Sequence, residues 1–419
     1  MMRSLRNLSC ILMFLWLGHG KPSSALAQQV VEARRFAVAS GHPDATEAGM
    51  TILQRGGNVV DAAIATSLAL GVAEPYGSGL GGKLVWLYRD GKTGEIHSIT
   101  ALCAAPAELD VEQFIGLSSD QRKYGYKSAG VPGLVAGLEE AHRRWGTLTW
   151  TELAEPAAAL AERGILIDAT MQALYRPHVD DLARDEEAAS LYLYRGGLPP
   201  VGARLKNADL AGVLRHIGTE GPRWFYEGPV ARQLVAASQR EGAALTLDDL
   251  KNYRVDVSRP LHIDFAGYQV YSCPPPLTGG ATALAALKAW QSDSRPIATS
   301  TDYADRMARL LLRLYPRVQR DLADVPTAQA AAEALLSDAM ARQIADEARR
   351  VDPADPYSAA TPDPADPAEA EPASSTTHLV VADAEGNMVS LTQSLSLHFG
   401  AAVVAPGTGF LLNDSLSNF

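Results

Sequence analysis

The sequence predicts an α+β layered fold. Apolar residues at helical spacing fill the first half and the middle, while strand-like hairpins stand near residue 90 and again after residue 376. Between the helical body and the β-rich end lies 351–375, VDPADPYSAATPDPADPAEAEPASS, which has almost nothing to bury and reads as an exposed, flexible segment. The 419 residues are 47% apolar and 20% charged, with 35 glycines, so a sizeable core is available. Net charge is −11 and no Lys/Arg-rich stretch stands out, which argues against nucleic acid or an anionic membrane as partner.

At the start, Arg3 and Arg6 precede the apolar run Leu8–Leu17, and Ala25-Leu26-Ala27 supplies a small-residue cleavage site. Residues 1–27 therefore read as a secretory signal peptide, and the protein is expected to be exported, periplasmic or secreted. That run is too short to span a bilayer comfortably, and no later stretch is apolar enough for a transmembrane helix. Cys10 leaves with the leader. The remaining Cys103 and Cys273 are too few for a disulfide scaffold or a zinc site, and nothing in the sequence shows that they meet.

Residues 38–71 read as two closely joined helices, the first opened by a capping box at Asp44 and Glu47, the second an almost wholly apolar DAAIATSLAL. Pro75 and the glycines at 77, 79, 81 and 82 turn the chain into a strand, 84–88, which a turn at Asp90-Gly91 returns through 96–99. Helical spacing recurs over 133–145, 150–163, 209–217 and 228–239; an Ala/Leu helix ends at Trp290, and Ser337 caps another running to Arg350. After the acidic segment, 377–383 and 388–392 form a hairpin about Gly386-Asn387, with further strand expected at 401–405 and 409–412.

A threonine at a strand start, directly behind a protease-accessible loop, has two readings. One is a polar loop-to-strand junction. In the other, cleavage before Thr376 frees an α-amine, whose pKa of about 7.7–8.0 suits it to take the proton of its own hydroxyl. Spacing alone leaves both open. The scattered histidines suggest no metal site, and Lys83-Leu84 after the glycine cluster is not a phosphate-loop ending. Lys83 and Arg89 read as surface charges on a strand, and Asp305, Asp321 and Asp324 with Arg306 and Arg309 as a solvated helix face.

The stretch from Thr376-Thr377-His378 through Asp383 to Thr392 resembles the start of the small subunit of γ-glutamyltransferases. Phe399-Gly400, Pro406-Gly407-Thr408-Gly409 and Leu411-Leu412-Asn413 continue it. Upstream, Ser40-Gly41-His42-Pro43, Gly56-Gly57-Asn58, Val131-Pro132-Gly133, Phe225-Tyr226-Glu227-Gly228 and Pro274–Gly280 are similar to that family's large subunit. The resemblance implies an N-terminal-nucleophile hydrolase with an αββα four-layer sandwich, here truncated at the C-terminus. Residues 28–375 would be the large-subunit-like region and 376–419 the start of the small one. It further implies self-cleavage between Ser375 and Thr376, after which the two fragments stay partners. Thr376 would be the nucleophile and, through its amine, the base; Ser394 falls on the supporting hydroxyl. The substrate class is a γ-glutamyl or related small amide, with water or an amino acid as acceptor, and no metal or organic cofactor is required.

Three departures fall on acyl recognition. Leu102 stands where the family's carboxylate-gripping arginine is expected, Ser396 where an asparagine is, and Asn418 where the aspartate that receives the substrate ammonium is. Ser396 and Asn418 are the substrate-binding candidates. The family's small subunit also runs on past the point matched by Phe419, into the Gly-Gly donors of its oxyanion hole. The lost clamps favour an acylase with another acyl group, and a shortened chain favours a noncatalytic relative.

Overall fold

The computed structural model describes residues 33–350 and 375–418. The leader at 1–27 and the acidic segment up to residue 374 lie outside the described residues. From Phe36 onward the strands of three or more residues are β1 (Phe36–Ser40), β2 (Lys83–Arg89), β3 (Ile96–Ala101), β4 (Asp256–Ser258), β5 (Leu261–Phe265), β6 (Tyr268–Ser272), β7 (Ser375–Asp383) and β8 (Met388–Ser396). A six-stranded sheet runs in the order β1-β7-β8-β2-β3-β4, antiparallel throughout, while β5 and β6 form a separate hairpin.

Strand alternation gives the sheet two unlike faces. Leu84, Trp86, Tyr88, Leu379, Val381, Val389 and Leu391 are buried on one. They meet a helical layer led by α1 (Pro43–Gln54) and α2 (Val59–Ala73). Helix α2 is apolar all round because it is enclosed all round, with every residue but Gly71 buried. On the opposite face Val85, Leu87, Thr376, His378 and Thr392 are half-buried or exposed. Gln393 fastens the sheet to α2: it accepts from the Ser67 hydroxyl and donates to the Ser67 carbonyl (3.1 Å) and to Ser78 Oγ (2.8 Å).

Further helices continue this layer, including α3 (Leu134–Trp145), α4 (Trp150–Arg163) and α5 (Ala208–Glu220). A second core is built from the β5–β6 hairpin with α6 (Thr278–Ser292), α7 (Ser300–Asp321) and α8 (Asp338–Arg349), the last capped by Ser337 as expected.

Four expectations need correction. The capping box sits at Asn58 and Asp61, while His42 caps the first helix, accepting from the Asp44 amide. Phe36–Ser40 is a strand that the helical reading from residue 38 overlooked. Residues 401–412 carry only isolated bridges, Val404 to Leu411 and Leu412 to Gly81, since Gly400, Ala402, Gly407 and Gly409 all adopt positive φ and turn the chain out of extended form. Arg306 is no solvated charge: it is 5% exposed and paired with buried Asp293 at 3.2 Å.

Candidate active site

The site forms where β7, β8 and β2 lie side by side. Thr376, on β7, is exposed, and its Oγ1 donates to Ser394 Oγ on β8 at 3.2 Å. Beyond Gln393 the β7–β8 register shifts, and Ser396 takes φ +89°, a left-handed conformation unusual for serine. That turn folds the Ser396 amide back onto Ser394 Oγ at 2.9 Å. Ser394 therefore holds the Thr376 hydroxyl while being held itself. Both serines are about nine-tenths buried.

Glycine makes the close approach possible. A Cβ on Gly82 would stand 2.4 Å from the Ser394 carbonyl oxygen, and one on Gly81 2.1 Å from that of Leu411. The loop after Leu412 is fastened to the same glycines. Asn413 donates to the Gly81 carbonyl (2.7 Å) and the Gly130 carbonyl (2.9 Å), and accepts from the Gly130 and Ser415 amides, each at 3.0 Å.

Ser415 is thereby delivered to the site, together with Lys83, which faces Ser394 in the β8–β2 register. Lys83 Nζ donates to Ser396 Oγ at 2.7 Å and to Ser415 Oγ at 3.1 Å, and the two hydroxyls are 3.2 Å apart. The expected surface lysine is thus turned into the candidate site. Arg89, at the far end of the same strand, donates to the Gly386 carbonyl and closes the β7–β8 turn. Cys103 is half-buried and free like Cys273; burial pushes its thiol up, against the nearby Lys83 charge and the Ser415 hydroxyl, which favour the thiolate. Asp414 is buried and pushed up by that burial; its carboxylate accepts from the Leu397 amide (2.9 Å) and the Ser417 hydroxyl (3.0 Å).

Of the sequence candidates, Thr376, Ser394 and Ser396 are brought together. Asn418 is exposed and donates to the Ser415 carbonyl at 3.1 Å, so it touches the cluster through the backbone. Leu102 is half-buried next to Cys103. Sequence reasoning missed Lys83 and Ser415, whose only signal was their place beside the glycine pair and Asn413. Among the described residues no group of three His, Cys, Asp or Glu side chains is placed to hold a metal ion, and no helix is long and apolar enough to cross a membrane. A cavity of about 530 Å³ near Tyr124, Tyr126 and Arg184 shares no lining residue with this cluster.

Residues 45–419 match the sequence profile of Gamma-glutamyltranspeptidase. The chain belongs to that family. The glutathione hydrolase proenzyme of Escherichia coli (strain K12) is 32% identical over 396 residues, 93% of this chain and 67% of that protein. The acylase ACY 1 proenzyme of Pseudomonas sp. (strain SE83) is 33% identical over 400 residues, covering 92% and 70%. Among solved structures, the cephalosporin acylase from Bacillus halodurans superposes with TM-score 0.81 at 29% identity, over 94% of this chain and 71% of that one. The fold is that of the N-terminal-nucleophile hydrolases, and the described residues supply one helical layer and one sheet of it. The chain spans about two thirds of the length of the E. coli relative, and its family contains both glutathione hydrolases and acylases.

Proposed function

We propose that this protein is an exported, self-cleaving amide hydrolase and acyltransferase whose nucleophile is Thr376. The observation that carries the reading is the Thr376–Ser394 contact: an accessible hydroxyl oriented by a second, buried hydroxyl at the head of a strand. In the first step Thr376 Oγ attacks the Ser375 carbonyl, the peptide shifts from nitrogen to oxygen, and water hydrolyses the ester. One product ends at Ser375 and the other begins at Thr376, which gains a free amine. In turnover that amine takes the hydroxyl proton as Oγ adds to the substrate amide carbon, then passes it to the departing amine. Water or an acceptor amino acid releases the acyl group from the resulting ester. Ser394 holds the Thr376 oxygen in place, and Ser396 and Asn418 lie on the acyl-binding side.

The family points to γ-glutamyl amides as substrates. A second reading, an acylase for another acyl group, is favoured by Leu102 and Asn418, which replace both charge clamps of a zwitterionic glutamyl head with neutral side chains. Removing a buried charge partner typically weakens binding by about 2–5 kcal/mol. The test is the denatured intact mass and N-terminal sequence of the expressed protein, followed by turnover of γ-glutamyl and uncharged acyl anilides. A new N-terminus at Thr376, lost in Thr376→Ala, is the expected result; a chain that stays whole and inert overturns the reading.

A further inference from the structure

We infer that Arg313, in the middle of α7, is the centre of a binding site for one small oxyanion, a single carboxylate or phosphate group. Arg306, Arg309, Arg313, Arg317 and Arg320 recur at steps of three and four, so all five lie along one side of the helix. Four of them meet a carboxylate: Arg306 with Asp293 (3.2 Å), Arg309 with Asp305 (2.8 Å), Arg317 with Glu347 (2.8 Å) and Arg320 with Asp321 (2.7 Å). Arg313, at the centre of the row, is the exception. Among the described residues its side chain makes no hydrogen bond and no ion pair, although the residue is only 9% exposed.

A guanidinium keeps its proton inside a protein, so burial without a partner leaves a charge that is costly to hold. Glu347 on α8 does feel the Arg313 charge, but its carboxylate is already engaged. Arg317 donates to its two oxygens at 2.9 and 2.8 Å, and Gln343 donates to one of them at 2.9 Å. Arg309 and Arg317, one turn to either side of Arg313, add like charge around it. Such a site is strongly biased toward an anion. The chain as a whole carries −11, which works against casual anion uptake, so any binding here is local to this row.

The shape of the donor sets the ligand class. Of the Arg313 nitrogens only Nε is both sealed from solvent and without a partner, so the terminal pair keeps a path to the surface. The guanidinium edge presents parallel N–H donors, which match two oxygens of one carboxylate or phosphate. The narrow exposure admits one such group and excludes a bulky polyanion. Leu310 and Leu314, beside Arg313 on α7, belong to the second core, which shares no residue with the core under the Thr376 sheet. Occupancy of the site is therefore independent of whether Thr376 reacts.

The experiment follows the phosphorus NMR line of inorganic phosphate on addition of the full chain, at fixed pH and ionic strength, with acetate as competitor. The line is expected to broaden saturably, with a Kd of about 1 mM or tighter. Acetate that reverses the broadening at lower concentration than phosphate identifies a carboxylate as the preferred group, and acetate that fails to reverse it identifies phosphate. Arg313→Met should weaken binding at least about tenfold, and Arg313→Lys, which keeps the charge but loses the fork, about threefold or more. Arg320→Met, which removes an arginine that has its own carboxylate, should bind as the parent does. A thermal melt in chloride accompanies each variant, and Arg313→Met should melt no lower than the parent because it removes an unpaired buried charge. If Arg313→Met does not fold, Arg313→Lys carries the comparison. No saturable broadening in the parent overturns the inference, as does undiminished binding in the Arg313 variants or an equal loss in Arg320→Met.

Discussion

Replacing Gly82 by alanine tests the geometry of the nucleophile without touching any reacting group. The added Cβ would lie 2.4 Å from the Ser394 carbonyl oxygen and 3.2 Å from both its carbonyl carbon and the Gly79 carbonyl oxygen. A relaxed carbon–oxygen contact is about 3.3 Å or more, so roughly 0.9 Å must be made up by backbone movement. Gly82 has little freedom to retreat, since its own carbonyl accepts from the Gly133 amide (2.9 Å) and the Leu134 amide (3.0 Å). Ser394 therefore yields, and its contact with Thr376, 3.2 Å at rest, opens beyond hydrogen-bonding distance. A displacement near 1 Å costs on the order of 100-fold in rate, and overpacking costs about 1–3 kcal/mol of stability. The assay is the fraction of chain cut before Thr376 against time, by denatured mass, with a thermal melt alongside. Gly212→Ala is the control: nothing lies within 4 Å of its added Cβ inside α5, so the chain should cut at the parent rate and melt slightly higher. If Gly82→Ala cuts within twofold of the parent and keeps its Tm, the claim that glycine holds Ser394 in place is wrong.

Two other predictions concern stability. Asp61 is fully buried and accepts from the amides of Asn58 (3.0 Å), Thr147 (2.9 Å) and Leu148 (3.4 Å) and from the Thr147 hydroxyl. Asp61→Ala strands those donors and should cost about 3 kcal/mol or more in urea unfolding, with an unchanged midpoint the contrary result. In the second core, burial works against the charge of Asp293, but Arg295 and Arg306 hold its carboxyl below the usual range. Its folded value is depressed, so its contribution is present above the unfolded value of about 3.9 and disappears as pH falls through the folded one. The stability gap between parent and Asp293→Asn should accordingly narrow from pH 5 to pH 2.5, and a constant gap would refute the assignment.

Much of the frame was legible in the sequence because local signals and tertiary demands agree. The apolar DAAIATSLAL became a helix enclosed on all sides, and Gly386-Asn387 closed the β7–β8 hairpin. The 401–412 segment failed because its apolar residues looked like strand while positive φ at Ala402, Gly407 and Gly409 folds them into turns; their burial comes from packing, not from sheet pairing. Thr376 and Ser394 were legible as a motif, and the hairpin register that pairs Gln393 with Thr377 runs on to bring them together; the shift beyond it, which folds Ser396 back onto Ser394, no periodicity reveals.

Lys83 shows why the rest of the site was hidden. Along β2 it shares a parity with Val85, Leu87 and Arg89, opposite the core-facing Leu84, Trp86 and Tyr88, and such a row ordinarily meets water. What turns it inward lies more than 300 residues away: β8 pairs beside β2 and places Ser394 opposite Lys83, and Asn413 clips the chain to Gly81 and Gly130 so that Ser415 closes over the ammonium. The same long-range pairing joins separate departures of this sequence into one physical change. Leu102 and Asn418 remove a cation and an anion expected of the family, while Lys83 brings a cation to neutral Ser396 and Ser415. The strand register, the Ser396 turn and the Asn413 clip together bring the Lys83 ammonium and the Ser396 and Ser415 hydroxyls to one point near Thr376.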